Sequence, residues 1–316
     1  MTATSTRTLS GAFAEAQRRR SVSRRALRML RRNRLGLAGA VILLLVSFAA
    51  IFAPVIAPHD PELGEITARL QCPVLMNCPK YGTSETITGS MEHILGTDQL
   101  GRDILSRIIY GARVSLIVGL TAVLLGAGVG ATLGLLAGYY GRWIDSIIMR
   151  VGDVFLAFPY LLLAIAIVAV LGGGLLNVVL VLALAGWVPY ARLMRGSVLA
   201  LQNQEYVVAA RAIGARDATV LFKHFLPNAI TPIIVYSTFA VAATIIAEAG
   251  LSFLGLGVGA TRATWGNMLS DGRAYMATAW WLATIPGLAI VLTVLAINLI
   301  GDWIRDVLDP QLRNIA

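Results

Sequence analysis

Five stretches of this chain, 35–58, 114–141, 154–191, 225–247 and 274–301, contain no Asp, Glu, Lys or Arg. A helix needs about 20 mostly apolar residues to cross ~30 Å of hydrocarbon. Four of the runs suit one crossing each. The run 154–191 is too long for one, and Gly172-Gly173-Gly174 near its middle favours a turn. That divides it into spans at about 154–171 and 175–191, for six in all. The apolar segment 251–261 is too short to cross. Hydrophobic residues make up 57% of the 316 residues and charged ones 14%. Soluble domains run at about 25% charged, and disorder needs low hydrophobicity, so an ordinary soluble enzyme and a disordered chain are both excluded. The expected fold is all-α, a polytopic membrane protein with six transmembrane helices.

Basic residues set the orientation, because cytoplasmic loops collect Lys and Arg. Residues 1–34 hold ten arginines and one acid, Glu15. The N-terminus is therefore expected in the cytoplasm, and six spans return the C-terminus there. The loop 59–112 falls outside and carries seven acids against four bases. The segment 192–224 falls inside with five bases, Arg192, Arg195, Arg211, Arg216 and Lys223. The net charge of +9 thus reads as a topology signal that also meets anionic lipid, not as a nucleic-acid arm. The expected layout is an Arg-rich cytoplasmic head at 1–34, disordered over 1–20, then a first span at 35–58. An extracytoplasmic loop at 59–112 follows, then a five-span core at 113–301 and a cytoplasmic tail at 302–316.

No catalytic motif stands out. The chain lacks G-x-x-x-x-G-K-[ST], H-E-x-x-H and G-x-S-x-G, so no ATP site of the P-loop type and no enzyme activity are expected. Cys72 and Cys78 lie in the outer loop, where a disulfide is permitted; a bridge and two free thiols both fit. His59 and His93 show no recognisable ligand spacing, so no metal site is expected. Arg150 and Asp153, three apart, share a helix face and read as an ion pair, structural or part of a gate on the transport path. Glu248 ends the fifth span, as a pore-mouth residue or a solvated one. Gly126, Gly130, Gly134 and Gly138 recur every fourth residue, which strips one helix face of side chains and lets another helix approach closely. Gly96, Thr97 and Asp98 suit a turn or cap, and Arg102 with Asp103 is expected to brace the second span.

The longest inner loop, about 192–228, runs from Glu205 to Asn228 as E-Y-V-V-A-A-R-A-I-G-A-R-D-A-T-V-L-F-K-H-F-L-P-N. It reads as a short helix to Ile213, ended or turned by Gly214, then an amphipathic stretch that leads into a span at Pro227. Exposed small residues, Ala209, Ala210 and Gly214, would let such a helix dock closely into a groove on another protein.

The run Ala209-Ala210-Arg211-Ala212-Ile213-Gly214-Ala215, with Pro227 following 13 residues after Gly214, resembles the EAA loop of binding-protein-dependent ABC importer permeases. Val208 stands where that motif has its acid, and Glu205 lies three residues earlier. Further segments resemble the C-type subunit of dipeptide/oligopeptide importers. These are Arg32-Asn33-Arg34, His93 to Asp98, Gly101-Arg102-Asp103, Tyr110 to Arg113, Met149-Arg150 with Asp153, Phe158-Pro159, Leu251 to Gly257, Trp265-Gly266, Asn298, Gly301-Asp302 and Asp309-Pro310. The resemblance implies a type I ABC importer permease fold in the cytoplasmic (inner) membrane of a prokaryote. It implies a second permease subunit, two ATPase subunits that hold the ATP and Mg, an extracytoplasmic substrate-binding protein, and peptide as cargo. Glu205, Ala209, Ala210, Arg211, Gly214, Ala215 and Pro227 would then couple to an ATPase. The competing reading is a stand-alone ion-coupled secondary transporter, a class that often shows inverted repeats; no convincing internal repeat is visible here.

Overall fold

The computed structural model describes residues 33–74, 76–79, 86–259 and 261–308. The arginine-rich head before Asn33, Lys80 and Asp309-Pro310 lie outside the described residues. Nine helices organise the rest: α1 (Arg34–Ile51), α2 (Ile104–Tyr140), α3 (Arg142–Leu156), α4 (Tyr160–Leu171), α5 (Leu175–Leu201), α6 (Glu205–Ala212), α7 (Leu226–Phe253), α8 (Trp265–Gly272) and α9 (Trp281–Leu308). A short antiparallel hairpin, Asn77–Pro79 with Thr86–Thr88, pairs Cys78 with Ile87. Five of these helices, α1, α2, α5, the one ending at Phe253, and α9, are long and apolar enough to cross a membrane.

The sixth crossing differs from expectation. Instead of one helix over 154–171, α3 and α4 meet at an 89° corner. The cause is local: Pro159 disfavours helical geometry at Phe158, so α3 stops at Leu156 and α4 restarts at Tyr160. At 12 residues and 1.5 Å per residue, α4 is about 18 Å long and too short to cross alone. The helix α3 exposes Trp143, Ile147, Val151 and Val154, a row with near-helical spacing that gives it one apolar side.

Other boundaries also differ from the charge-free runs: α1 stops at Ile51, short of the expected span end at 58, α9 starts only at Trp281, and several helices run past the apolar limits. Charge matters only inside hydrocarbon, so α2 begins at Ile104, ten residues before its apolar run. Its start is capped by Asp103, whose Oδ2 accepts the Ser106 N–H at 2.7 Å, a standard way to satisfy a free helical N–H. Likewise α5 continues through Arg192 and Arg195 to Leu201, and α9 continues to Leu308. At the other end of the chain, Asn33 caps α1 by accepting the Gly36 N–H at 3.0 Å.

The glycine ridge of α2 lies against α5. A side chain at Gly126 would meet Ala183, one at Gly130 would meet Trp187, one at Gly134 would meet Ala191, and one at Gly138 would meet Val198. Partners advance along α5 as the ridge advances along α2, so the two helices run parallel in backbone contact. Around this pair, α1 and α7 pack on α2, and α9 bridges α1 and α7. The triple glycine makes the expected turn: Gly172 and Gly174 have φ of 81° and 129°, and the Gly174 N–H donates to the carbonyl of Gly257 at 3.0 Å. Cys72 and Cys78 form a disulfide, with Cα atoms 6.2 Å apart, inside the range such bridges require.

Two outcomes follow from this packing. Gly134→Leu should lower the thermal midpoint of the detergent-solubilised protein by an amount corresponding to about 1–3 kcal/mol or more, the usual cost of overpacking. Gly128→Leu, where an added Cβ meets nothing within 4 Å, should leave the midpoint nearly unchanged. Alkylation under non-reducing denaturing conditions, read by mass spectrometry, should find neither cysteine modified.

Candidate functional site

The bundle has two ends of different construction. At one lie the hairpin, the 57–103 loop and α8; at the other lies the segment between α5 and α7.

In that second region α6 folds back onto the span ends. Val207 is fully buried and Ala210 nearly so, and Val207 packs in one core with Val220, Leu221 and Phe225. Ala210 is thus a packing residue, not the exposed one expected, because the i, i+3 spacing from Val207 puts it on the inner face. Glu205, Val208, Ala209, Arg211 and Ala212 face outward, and Ile213 is 86% exposed. Arg211 still touches the body: its guanidinium stacks over the Tyr139 ring, 5.2 Å from the centroid. Gly214 has φ of 76°, a left-handed conformation that glycine adopts without a Cβ penalty. It closes α6 while the Ala215 N–H reaches the Ala210 carbonyl at 3.0 Å. A π-helical turn over Val220–Phe225 then leads into α7, with Pro227 in its first turn.

Several side chains tie this segment to the bundle. The Tyr139 hydroxyl donates to Asp217 at 2.6 Å, and the Tyr139 ring packs edge-on against Phe225 at 5.8 Å. Gln202 donates to the Gly138 carbonyl at 2.5 Å. Sequence reading singled out none of Tyr139, Gln202 or Asp217. Only the identity of a polar residue at a span end signals them, since each partner lies 64 or 78 residues away.

The expected Arg150–Asp153 pair does not form among the described residues. Asp153 instead accepts from Arg192 of α5 at 2.6 Å, and Arg195 forms a two-pronged pair with Asp145. Two bridges therefore clamp α3 to α5. Shared helix face brings residues three apart close, but an arginine reaching across from a neighbouring helix competes for the same carboxylate and here holds it.

A cavity of about 220 Å³ opens between α2, the α3–α4 corner, α5 and α7. Tyr160, Tyr190, Tyr236 and Thr244 bring hydroxyls to its wall, and Gly186 and Pro189 leave it room. Pro189 sits inside α5 and cannot donate to the Ala185 carbonyl.

At the hairpin end Gly96, Thr97, Asp98, Gly101, Arg102 and Asp103 are buried, while Leu100 between them is exposed. The Asp98 carboxylate takes Arg102 Nε at 2.7 Å and lies 3.7 Å from Arg107. Both guanidiniums also approach Asp271 of α8, at 3.1 and 3.7 Å. Arg102 thus braces α2 through Asp98 and Asp271, not through Asp103, which is used as the helix cap. Glu248 is neither solvated nor at a mouth. It is fully buried and accepts hydroxyls from Ser115 at 3.1 Å and Ser252 at 2.8 Å. His59 and His93, whose spacing suggested no metal site, converge on Asp103.

The described residues form a bundle of membrane-length helices that displays a short folded helix at one end. The chain belongs to the family described as binding-protein-dependent transport system inner membrane component, whose model matches residues 130–314. Residues 21–73 match the N-terminal transmembrane domain of oligopeptide transport permease C. Over 291 residues it is 43% identical to the dipeptide transport system permease protein DppC of Alkalihalophilus pseudofirmus, covering 92% of this chain and 90% of that one. Over 287 residues it is 45% identical to the glutathione transport system permease protein GsiD of Pectobacterium atrosepticum, covering 91% and 90%. The fold is similar to a chain of the inward-facing MetNI methionine ABC transporter, with a TM-score of 0.53 and 18% identity, over 64% of this chain and 97% of that one. It is a polytopic ABC importer permease.

The ion pairs permit a direct comparison. Asp98→Ala should cost about 3–5 kcal/mol, because it leaves the buried Arg102 and Arg107 guanidiniums to share the partly exposed Asp271. Asp153→Ala should cost under about 1 kcal/mol, because its pair with Arg192 is more than half exposed on both sides, where such pairs contribute little. Thermal unfolding of the two purified variants, run side by side, checks the contrast.

Proposed function

We propose that this chain is one of two permease subunits of an ATP-driven peptide importer in the cytoplasmic membrane of a prokaryote, and that the segment 205–228 couples it to ATPase subunits. ATP and Mg bind those partners; this chain carries no nucleotide site and is not itself an enzyme. A second, similar permease completes the pathway, and two ATPases sit beneath the pair. An extracytoplasmic binding protein delivers peptide at the hairpin end. The Arg-rich head, the α6 end and the tail are then cytoplasmic.

The observation that carries this reading is the two-faced construction of α6. Its inner face is fixed by Val207 and Ala210, while Val208, Ala209 and Ile213 are exposed next to a glycine turn with open space around it. Exposed apolar side chains beside small ones suit a protein cleft. The bonds from Asp217 and Gln202 to the end of α2 supply a path by which a pull on α6 reaches the spans. The 220 Å³ cavity with its tyrosine wall is the part of the pathway this subunit contributes. Peptide is proposed as cargo because relatives named for dipeptide, di/tripeptide and glutathione transport, all peptide cargoes, each cover about nine-tenths of this chain.

The test is Gly214→Glu in the reconstituted importer. An added Cβ at Gly214 meets nothing within 4 Å in this chain, so any loss of contact is with a partner; the left-handed φ adds strain of about 1–2 kcal/mol. Uptake of labelled dipeptide should fall at least tenfold while the subunits remain folded and ATP hydrolysis persists without stimulation by cargo. Wild-type uptake in this variant would sink the coupling assignment.

A further inference from the structure

We propose that His59, His93 and Asp103 form a binding site for one divalent transition-metal ion, with zinc the best match, at the hairpin end of the permease. Residues 34 and 10 positions apart in the chain converge there, so no short spacing signals the site. Both histidines turn Nδ1 toward the same carboxylate: His93 Nδ1 is 3.1 Å from Asp103 Oδ1, and His59 Nδ1 is 4.0 Å from Asp103 Oδ2. The three ligand atoms lie within 4.8 Å of one another.

A second observation points to a ligand. His59 Nδ1 is buried yet has no hydrogen-bond partner among the described residues. A buried imidazole nitrogen left without a partner costs free energy, and a metal ion would supply that partner. The rest of His59 is held in place, since its backbone N–H donates to Ser106 Oγ at 3.0 Å. The two rings are already neighbours, with centroids 4.7 Å apart.

The carboxylate can serve both the helix and an ion. Asp103 Oδ2 accepts the Ser106 N–H and hydroxyl at 2.7 and 2.8 Å, which is the cap of α2. Oδ1 faces His93 alone and is free to ligate once that ring presents its lone pair. Tetrahedral zinc with bonds of about 2.0–2.1 Å places its ligand atoms about 3.3 Å apart. The His93–Asp103 distance already matches. From within 4.8 Å of the other two ligand atoms, His59 Nδ1 must approach by at most about 1.5 Å to meet that spacing, and its side chain, 35% exposed, has room to swing. Two imidazoles and one carboxylate favour zinc or a neighbouring transition ion over magnesium or calcium, which prefer all-oxygen shells. A fourth position, open on the exposed side of His59, would take water. Bound there, the ion would pin the exit of the first span and the outer loop to the first turn of α2.

The chain contains three histidines, and its two cysteines are joined to each other, so few competing sites exist. The experiment uses the full chain in detergent, with an affinity tag free of histidine, stripped with chelator and titrated with Zn²⁺ against a fluorescent zinc indicator. One ion per chain is expected. His59→Ala should weaken binding by roughly tenfold or more, the scale on which zinc-site mutations act. His224→Ala, at the opposite end, should not change it. Co²⁺ should give the d–d absorption of a tetrahedral nitrogen–oxygen site in wild type and lose it in His59→Ala. Zn²⁺ should raise the thermal midpoint of wild type only, while the two metal-free midpoints agree. His59→Asp, which restores a ligand, should recover part of the affinity even if the alanine variant proves unstable. No stoichiometric ion in wild type, equal affinity in His59→Ala, or loss of binding in His224→Ala would each overturn the site.

Discussion

Backbone contact between α2 and α5 is the constraint on which the rest of the bundle depends. In lipid, helices gain nothing from hiding apolar side chains from each other, so close packing and backbone proximity must hold them together. Gly126, Gly130, Gly134 and Gly138 bring α2 against the carbonyls of Ala183, Trp187 and Ala191 and the side chain of Val198. Four turns of α2 are committed to one neighbour. That fixes which face of α2 remains for α1 and α7, and it sets the floor of the tyrosine-walled cavity, which Gly126 itself lines.

Much of this was legible in the sequence because it depends on residue type alone. A four-residue glycine period announces a bare helix face without naming its partner. Three glycines announce a turn. A proline after a glycine-ended loop helix announces a new span. Each is a backbone property, carried by a residue wherever it sits. The span limits were less legible, because absence of charge marks where hydrocarbon ends and not where a helix ends. Asp103 starts α2 well outside the apolar run, and Arg192 and Arg195 ride on α5 beyond it.

What sequence could not supply were pairings between distant residues. Asp153 has Arg150 one turn away, yet Arg192 of the neighbouring helix holds it. Arg195 finds Asp145, 50 residues earlier. His59, His93 and Asp103 meet because the loop after α1 returns to the start of α2. The corner between α3 and α4 was hidden for a related reason. Phe158-Pro159 lies in an unbroken apolar run, and hydropathy does not register direction.

These placements decide which parts can move together. The helices α2 and α5 pack in backbone contact along the glycine ridge with no gap between them. Arg195 and Arg192 fasten α3 to the same pair. Tyr139 and Gln202 tie the α6 segment to the last turn of α2. Side-chain bonds thus join the α6 segment, α2, α5 and α3 in one connected set. The yielding points are those where the regular helix is already broken: the 89° corner before α4, the glycine turn at 214, and the π turn that opens α7, a geometry that recurs at functional sites in helices. Rigid-body motion about such breaks is the usual way a packed bundle changes shape. In this chain the breaks flank the cavity and the α6 segment, while the hairpin end is held by ion pairs among Asp98, Arg102, Arg107 and Asp271. The same helix α2 is thus held at its first turn by the Asp103 cap and the Asp98–Arg107 pair, and tied at its last to the α6 segment through Tyr139 and Gly138.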